Sequence, residues 1–306
     1  MNRSLLQGPL LIALAALLWA TTGIVAKFLF GQTELKPLTL AFLRLVVAMP
    51  FFWWLMRQEQ CRLGDQQQTN RPALFSRQAL VPLLAMGFFQ AMYQGSYLLA
   101  VDMTGAGIAT LISLCLPPVM VAIAAAPLLG ERPGLVTILS LIAAISGTAM
   151  LVVSDMDTTG RLRLTGILMA VLAALVYTGF TLTSRHSSTG TPVFTTAFIC
   201  FFTTALMLLP VVAISGGFRG LETLGLIPWL MVIYIGIVPT CLGYLMFFRG
   251  IQNTEATLSS IIVTLEPLFV ALLAWLFLGE ILGLWGMLGA AVLVIAVVVA
   301  SRSGSR

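Results

Sequence analysis

The chain has 306 residues, 59% of them apolar and only 9% charged, with a formal net charge of +5 and a mean hydropathy of +1.03. A water-facing domain carries roughly a quarter of its residues as Asp, Glu, Lys and Arg, so 16 basic and 11 acidic side chains cannot clothe a soluble globule of this size. Composition therefore excludes a soluble enzyme, a disordered chain and a nucleic-acid binder, and predicts an all-α integral membrane protein.

A bilayer core of about 30 Å needs roughly 20 apolar residues per helix. Cutting at polar or Gly/Pro punctuation predicts ten transmembrane helices, at 8–30, 37–56, 79–100, 105–129, 134–154, 164–184, 192–213, 225–248, 254–278 and 282–301. Barrel strands would instead alternate in polarity over about ten residues. The first run is too long for a signal-peptide core and lacks a small-residue cleavage site. Between spans two and three lies the one sizeable polar loop, 57–78. With connections assigned to alternate sides, Arg3, Arg57, Arg62, Arg71, Arg77, Arg132, Arg185, Arg249, Arg302 and Arg306 share one side, and Lys36, Arg161, Arg163 and Arg219 the other. The positive-inside rule puts the richer side, with both termini, in the cytoplasm of a bacterial-type inner membrane. An even number of crossings agrees.

The chain also resembles itself. Leu14-Ala15-Ala16-Leu17-Leu18-Trp19 returns 158 residues later as Leu172-Ala173-Ala174-Leu175-Val176-Tyr177, and the same offset carries Gly8 onto Gly166 and Lys27 onto Arg185. Pro118 with Gly130-Glu131 returns as Pro267 with Gly279-Glu280 at an offset of 149. Two five-span repeats, 1–154 (with the cytoplasmic loop) and 155–306, follow. An odd number of spans per copy inserts the second one upside down, and inverted copies can close around a midplane site from either face. Membrane enzymes and inert scaffolds also arise by duplication.

Leu18-Trp19-Ala20-Thr21-Thr22-Gly23 through Lys27, then Pro37-Leu38-Thr39 and Ala41-Phe42-Leu43-Arg44, resembles the opening of EamA-type members of the drug/metabolite transporter superfamily. Leu265-Glu266-Pro267-Leu268-Phe269 followed by Leu278-Gly279-Glu280 is similar to the matching part of that family's second repeat, with Pro117-Pro118 and Leu129-Gly130-Glu131 as the first-repeat counterpart. The resemblance runs from about Gly8 to Ser301. It implies ten helices, a central cavity lined by spans one to four and six to nine, peripheral spans five and ten, and export of small metabolites. It implies no particular substrate among amino acids, amines, sugars and drug-like compounds.

Read from the residues, Glu266 is the first candidate for chemistry. It lies about 18 Å along span nine, near the midplane, where an ionised carboxylate costs about 2.5–3.5 kcal/mol unless paired or hydrated. It reads either as a proton-coupling group or as a neutral acid bonded to a broken helix. The adjacent Pro267 removes a backbone donor and predicts a kink or opening there. Arg44, about 10 Å into span two, keeps its charge and needs an anion, whether a substrate carboxylate or Glu266 in a structural pair. Lys27 sits nearer the interface and reads as a snorkelling side chain.

Gln90, Tyr93, Gln94 and Tyr97 in span three fall on one helical face. Span six offers Tyr177, Thr181, Ser184 and Arg185, and in span nine Thr257, Ser260 and Thr264 lead toward Glu266. With Trp19 and Tyr244 they predict an amphipathic cavity, its aromatic faces for an apolar or cationic moiety and its hydroxyls and amides for a polar end. Interhelical hydrogen bonding is the competing reading. Gly130-Glu131 and Gly279-Glu280 read as helix ends, each Glu at the start of the following helix. Ala143, Gly147, Gly286, Gly289 and Ala290 form small-residue packing faces, within a monomer or in a homodimer.

The prediction is thus a secondary transporter that exports a small amphipathic metabolite (amino acid, amine or drug-like compound) by alternating access. No GxxxxGK[ST] is present, so ATP hydrolysis on this chain is not the drive, leaving a proton gradient or the substrate's own. An uptake carrier for a sugar or phosphorylated metabolite is the alternative, although its phosphate would want clustered cations where Arg44 stands alone. A selective channel would want charged rings that the spans lack. A membrane-embedded lipid-modifying enzyme would want a constellation that one His, no HExxH and no GxSxG do not supply. Catalytic residues, metal and cofactor are not expected, since Cys61, Cys115, Cys200 and Cys241 are scattered. The expected partners are the lipid bilayer and a small-molecule substrate.

Overall fold

The computed structural model describes residues 3–64, 77–104, 106–154, 164–187, 191–219, 221–278 and 283–303, and within them no strand occurs. The helices stack into ten columns. The first seven are α1 (Arg3–Gln32), α2 (Pro37–Gly64), α3 (Arg77–Thr104), α4 (Ala106–Leu129), α5 (Leu135–Ser154), α6 (Leu164–Ser187) and α7 (Val193–Ile214). Column eight joins α8 (Leu226–Ile235) to α9 (Tyr244–Gln252) through a π-helical stretch, Gly236–Gly243. Column nine is split into α10 (Ala256–Val263) and α11 (Glu266–Leu278), and α12 (Leu284–Ser303) is the tenth. Gly279-Glu280, Arg71, Arg161, Arg163 and Arg306 lie outside the described residues.

Eight columns are long and apolar enough to cross a membrane, and α5 contains a shorter apolar run, Leu135–Met150. The remaining column, α3, is 28 residues long but carries two Gln, two Tyr and Ser96 along its middle. One expectation needs correcting. Residues 57–64 of the predicted polar loop continue α2, because Arg57, Gln58, Glu59 and Gln60 are good helix formers once a helix is running. Leu135, Ile142, Leu206, Leu276, Trp285 and Ile295 stand exposed on the outer surface, an apolar coat that requires lipid.

Both irregular columns are proline effects. Pro239 has no N–H for the Ile235 carbonyl, and the wider π turn lets the Thr240 hydroxyl donate to that oxygen at 2.8 Å. Pro267 likewise leaves the Val263 carbonyl without its helical donor. There the chain turns at Thr264 and Leu265, whose N–H groups reach back three residues, to Ile261 (3.2 Å) and Ile262 (3.0 Å), before α11 begins.

The principal packings are of α3 on α6 and α7, α4 on α6, column eight on α1 and α2, column nine on α1 and α4, α2 on α7, and α5 on α12. Exchanging columns one to five with six to ten leaves this set unchanged, while α4 also packs on α3 and α5 with only slight counterparts in the second half, so the two-fold relation between the halves is approximate. Gly87 and Gly236, 149 residues apart, show it at atomic scale. A Cβ on Gly87 would lie 2.6 Å from the Cys200 carbonyl of α7, and one on Gly236 would lie 3.0 Å from the Arg44 carbonyl of α2. Small residues let membrane helices approach this closely.

The small-residue faces of spans five and ten meet within the chain. A Cβ on Gly147 of α5 would come within 2.7 Å of the Gly289 carbonyl and 2.8 Å of the Leu293 nitrogen in α12. Backbone cannot yield as a side-chain tip does. Gly147→Val should therefore lower stability by about 1–3 kcal/mol, read as a drop in thermal unfolding midpoint in detergent; an unchanged midpoint would show that the two helices are free to separate.

Candidate functional site

An aromatic column runs through the middle of the bundle. On α3, Tyr93 stacks on Tyr97, one turn away, with centroids 5.8 Å apart, and Tyr93 meets Tyr177 of α6 at 5.4 Å. Tyr177 leads to Phe180 at 6.1 Å, and Phe180 meets Tyr244 of α9 edge-on at 6.5 Å. Tyr244 is the hub, touching Phe201 of α7 at 4.5 Å and Trp19 of α1 at 4.8 Å. Its place follows from the π stretch that ends at Gly243, where a Cβ would come within 2.8 Å of the Trp19 indole nitrogen. Glycine there lets the indole lie on bare backbone. Gln90 donates to the Tyr244 hydroxyl at 2.8 Å, and the Tyr97 hydroxyl shares a 2.9 Å hydrogen bond with Thr110 of α4.

The two charges predicted in the core enter the same region. Glu266 is the first residue of α11, directly after the break, and is half-buried. It lies within electrostatic range of Arg44 and of the four core tyrosines, 93, 97, 177 and 244. Arg44 is half-buried and also acts on Tyr244. Among the described residues the two charges are not in ion-pair contact, and the guanidinium has no hydrogen-bond acceptor. The buried Arg44 Nε, Trp19 Nε1 and Gln90 Oε1 all lack a hydrogen-bond partner. Buried polar groups are nearly always satisfied, so three orphans around one tyrosine make this region the candidate site.

Eight predicted site residues are thus brought together: Trp19, Arg44, Gln90, Tyr93, Tyr97, Tyr177, Tyr244 and Glu266. Gln94 is buried on the same helix. Thr181, Ser260 and Thr264 are buried too, and each hydroxyl donates to a carbonyl of its own helix or turn, those of Tyr177, Thr257 and Ile261. Sequence reading missed Phe180, Phe201 and Phe247, since phenylalanine in a membrane helix carries no polar signal. Phe180 lies three residues after Tyr177 and Phe247 three after Tyr244, a shared helical spacing that could have drawn attention. A separate cavity of about 500 Å³ between α2 and α7 is lined by Trp53, Arg57, Thr195 and Phe198, none of them a predicted site residue. Among the described residues no group of three His, Cys, Asp or Glu could hold a metal.

At one end of the bundle a charge network ties column ends together. Gly130 takes φ 72° and closes α4, the left-handed cap read from the sequence. Glu131, however, does not serve the following helix, a second correction. Its carboxylate accepts from the Ala256 N–H at the start of α10 (2.8 Å) and from Arg185 Nε of α6 (2.7 Å). Arg185 Nη1 donates to the Ile251 and Gln252 carbonyls that end α9, at 2.9 and 2.8 Å. Anion at a helix start and cation at a helix end both suit the backbone dipoles, and the geometry outcompetes the nearer start of α5. Glu59 does the same at the start of α7, accepting from Phe194 and Thr195 N–H groups at 3.3 and 3.0 Å.

The EamA-like transporter family matches residues 6–153 and, a second time, residues 164–302. The chain belongs to this family. Like other EamA-like transporters it is a multi-pass membrane protein of two helical repeats, and it is a membrane transporter. It is 27% identical over 303 residues to the uncharacterized transporter YwfM of Bacillus subtilis, covering 96% of this chain and 93% of that one. An uncharacterized transporter of Archaeoglobus fulgidus is 26% identical, with 98% of both chains covered. The uncharacterized inner membrane transporter YicL of Salmonella typhimurium is 24% identical, covering 98% and 97%. A crystal structure superposes over 100% of both chains with a TM-score of 0.77 at 20% identity, which establishes the fold.

The end network makes two opposed forecasts for thermal unfolding. Glu131→Ala removes the carboxylate shared by Arg185 and the α10 N-terminus, and should cost roughly 2–3 kcal/mol, less than for a fully buried pair because the Arg185 and Glu131 side chains keep 22% and 13% exposure. Burial first, and then the Glu131 carboxylate, push the neighbouring Glu255 carboxyl up, with Arg185 opposing. The folded state therefore holds this proton more tightly than the unfolded chain. Its contribution is present at low pH and fades as pH climbs from the ordinary carboxylate range through the raised value. Glu255→Gln should flatten that slope, and an unaltered pH profile would separate Glu255 from the network.

Proposed function

We propose that the chain is a secondary exporter of small amphipathic metabolites in a bacterial-type inner membrane, with both termini in the cytoplasm. The halves 1–154 and 155–306 act as inverted repeats that rock around the aromatic column, exposing it to one face and then the other. One observation carries the reading: an intramembrane acid at a helix break, within electrostatic range of Arg44 and four tyrosines. Ionisable residues at such depth are costly and belong to substrate or proton pathways by default. Export as the direction follows the sequence resemblance, and the exchange relation among the columns supports the inverted arrangement.

The break supplies the moving part. α10 is held at its start by Glu131, while α11 begins with Glu266 after a turn whose helical bonding is interrupted. Rotation at Thr264 and Leu265 shifts Glu266 against the aromatic column without disturbing the anchored segment. A proton taken up on Glu266 leaves Arg44 as the one charge of the pair, and release restores the carboxylate. Affinity at the site thereby follows the proton gradient.

In proteoliposomes Glu266→Gln should abolish pH-gradient-driven transport while exchange of bound substrate stays measurable. Rates equal to wild type would remove Glu266 from the mechanism. Tyr97→Cys should react with a membrane-impermeant thiol reagent, with protection by substrate, and inertness from both faces would mean that no aqueous cavity reaches α3.

A further inference from the structure

We propose that the groove between α2 and α7, at the Arg57 end of the bundle, binds one anionic phospholipid. Its phosphate lies on Arg57 and an acyl chain runs against Trp53 and Phe198. Such a site stands whether or not the protein exports metabolites.

α2 and α7 meet near both ends, and the sequence repeats itself across the two places. Pro37 with Ala41-Phe42 in α2 returns as Pro192, the N-cap of α7, with Ala197-Phe198, and Thr39 returns as Thr195. Both threonines are buried. At the Thr39 end the protein covers the joint itself. The turn after α7 accepts from Lys36 Nζ on the Ser215 carbonyl (2.7 Å) and from the Thr39 hydroxyl on the Gly217 carbonyl (3.0 Å). Phe218 then lies edge-on to Phe42 at 5.8 Å, and Phe42 keeps 9% exposure. At the Thr195 end α2 instead continues as helix to Gly64, and among the described residues no equivalent turn returns. A cavity of about 500 Å³ is left there, within the roughly 300–1,000 Å³ of ligand-holding clefts.

The chemistry of that cavity is graded along its length. Arg57 is exposed, with Cζ 4.8 Å from the ring centroid of Trp53, one turn earlier on α2. A cation over an aromatic face keeps its fork of N–H donors for an anion. Among the described residues those donors have neither an acceptor nor an acid. Glu59, two residues on, is committed to the Phe194 and Thr195 N–H groups and to the Thr195 hydroxyl. Gln60 lines the same rim and adds an amide. The walls beneath are aromatic. Trp53 is 46% exposed, at the depth where tryptophan marks a membrane interface. Phe198 stacks on Phe202 at 5.8 Å, and Phe202 is itself exposed. From Val193 to Phe202 the helix advances about 13 Å, so the groove descends from the interface into hydrocarbon. Basic pockets between membrane helices bind anionic headgroups.

Other occupants meet only part of this. A zwitterionic lipid brings its own cation beside Arg57. A free phosphate leaves the aromatic walls unfilled, and an uncharged alkyl chain leaves the guanidinium unmet.

The test offers the full-length protein in detergent an equimolar mixture of phosphatidylglycerol and phosphatidylcholine with identical acyl chains. Native mass spectrometry should find one phosphatidylglycerol retained at about fivefold the phosphatidylcholine. Arg57→Gln should bring that ratio close to one, whereas Arg132→Gln, at an exposed position outside the groove, should leave it unchanged. Cys61 is exposed and lines the groove. In the unaltered protein its reaction with uncharged N-ethylmaleimide, followed by peptide mapping, should slow with phosphatidylglycerol and not with phosphatidylcholine. That measurement decides the matter even where a variant fails to fold. Equal retention of the two lipids overturns the proposal. So does an equal loss of preference in Arg132→Gln, which would mean diffuse attraction to the whole basic end. Stabilisation against heat by inorganic phosphate alone, to the same degree as by phosphatidylglycerol, would mean a site for a free anion. A Cys61 thiol inert in lipid-free detergent would mean that the protein covers the groove itself.

Discussion

In hydrocarbon every backbone polar group must find its partner inside the protein, and Pro267 makes that demand hardest to meet in the ninth column. Without its N–H the Val263 carbonyl has no helical donor, and here the helix breaks. The turn at Thr264 and Leu265 absorbs the loss with shorter-range bonds and restarts the helix at Glu266. One missing hydrogen thus puts an acidic side chain at a helix start, where the local dipole tolerates negative charge. The position of Glu266 against the tyrosines follows from that restart.

The two halves share a plan and differ in its use. Their columns pack in matched pairs, and Gly87 and Gly236 make equivalent backbone approaches. Yet Pro117 stands where the second half has Glu266, and α4 stays continuous through Pro117 and Pro118. The acid belongs to one repeat only. Column eight departs from column three in turn, since Pro239 widens it into a π stretch whose last residue, Gly243, admits Trp19. The site is assembled from these departures.

The column positions were legible in the sequence because uninterrupted apolarity is a strong and local signal. The stripe of Gln90, Tyr93 and Tyr97 was legible because hydrogen-bonding groups at helical spacing in lipid must face inward. Less was visible where a side chain had a choice of partner. Glu131 could serve the next helix or a distant one, and only the fold brings Ala256 and Arg185 within its reach. The hydroxyls of Thr181, Ser260 and Thr264 could point across the bundle or fold back on their own backbone, and a sequence is silent on rotamers. The phenylalanines around Tyr244 carry no polarity to betray them. The extension of α2 past residue 56 was hidden by polar residues that suit a loop and a helix equally.

The contact between Gly147 and the backbone of α12 bears on how such a protein can change shape. Where two main chains lie in van der Waals contact, there is no compliant layer of side chains between them to shear, and axial sliding would drive carbonyl into amide. α5 and α12 are therefore keyed together like a mortise and tenon. A transition that opened the molecule would carry them as one unit, leaving the proline-interrupted eighth and ninth columns as the places for it to bend.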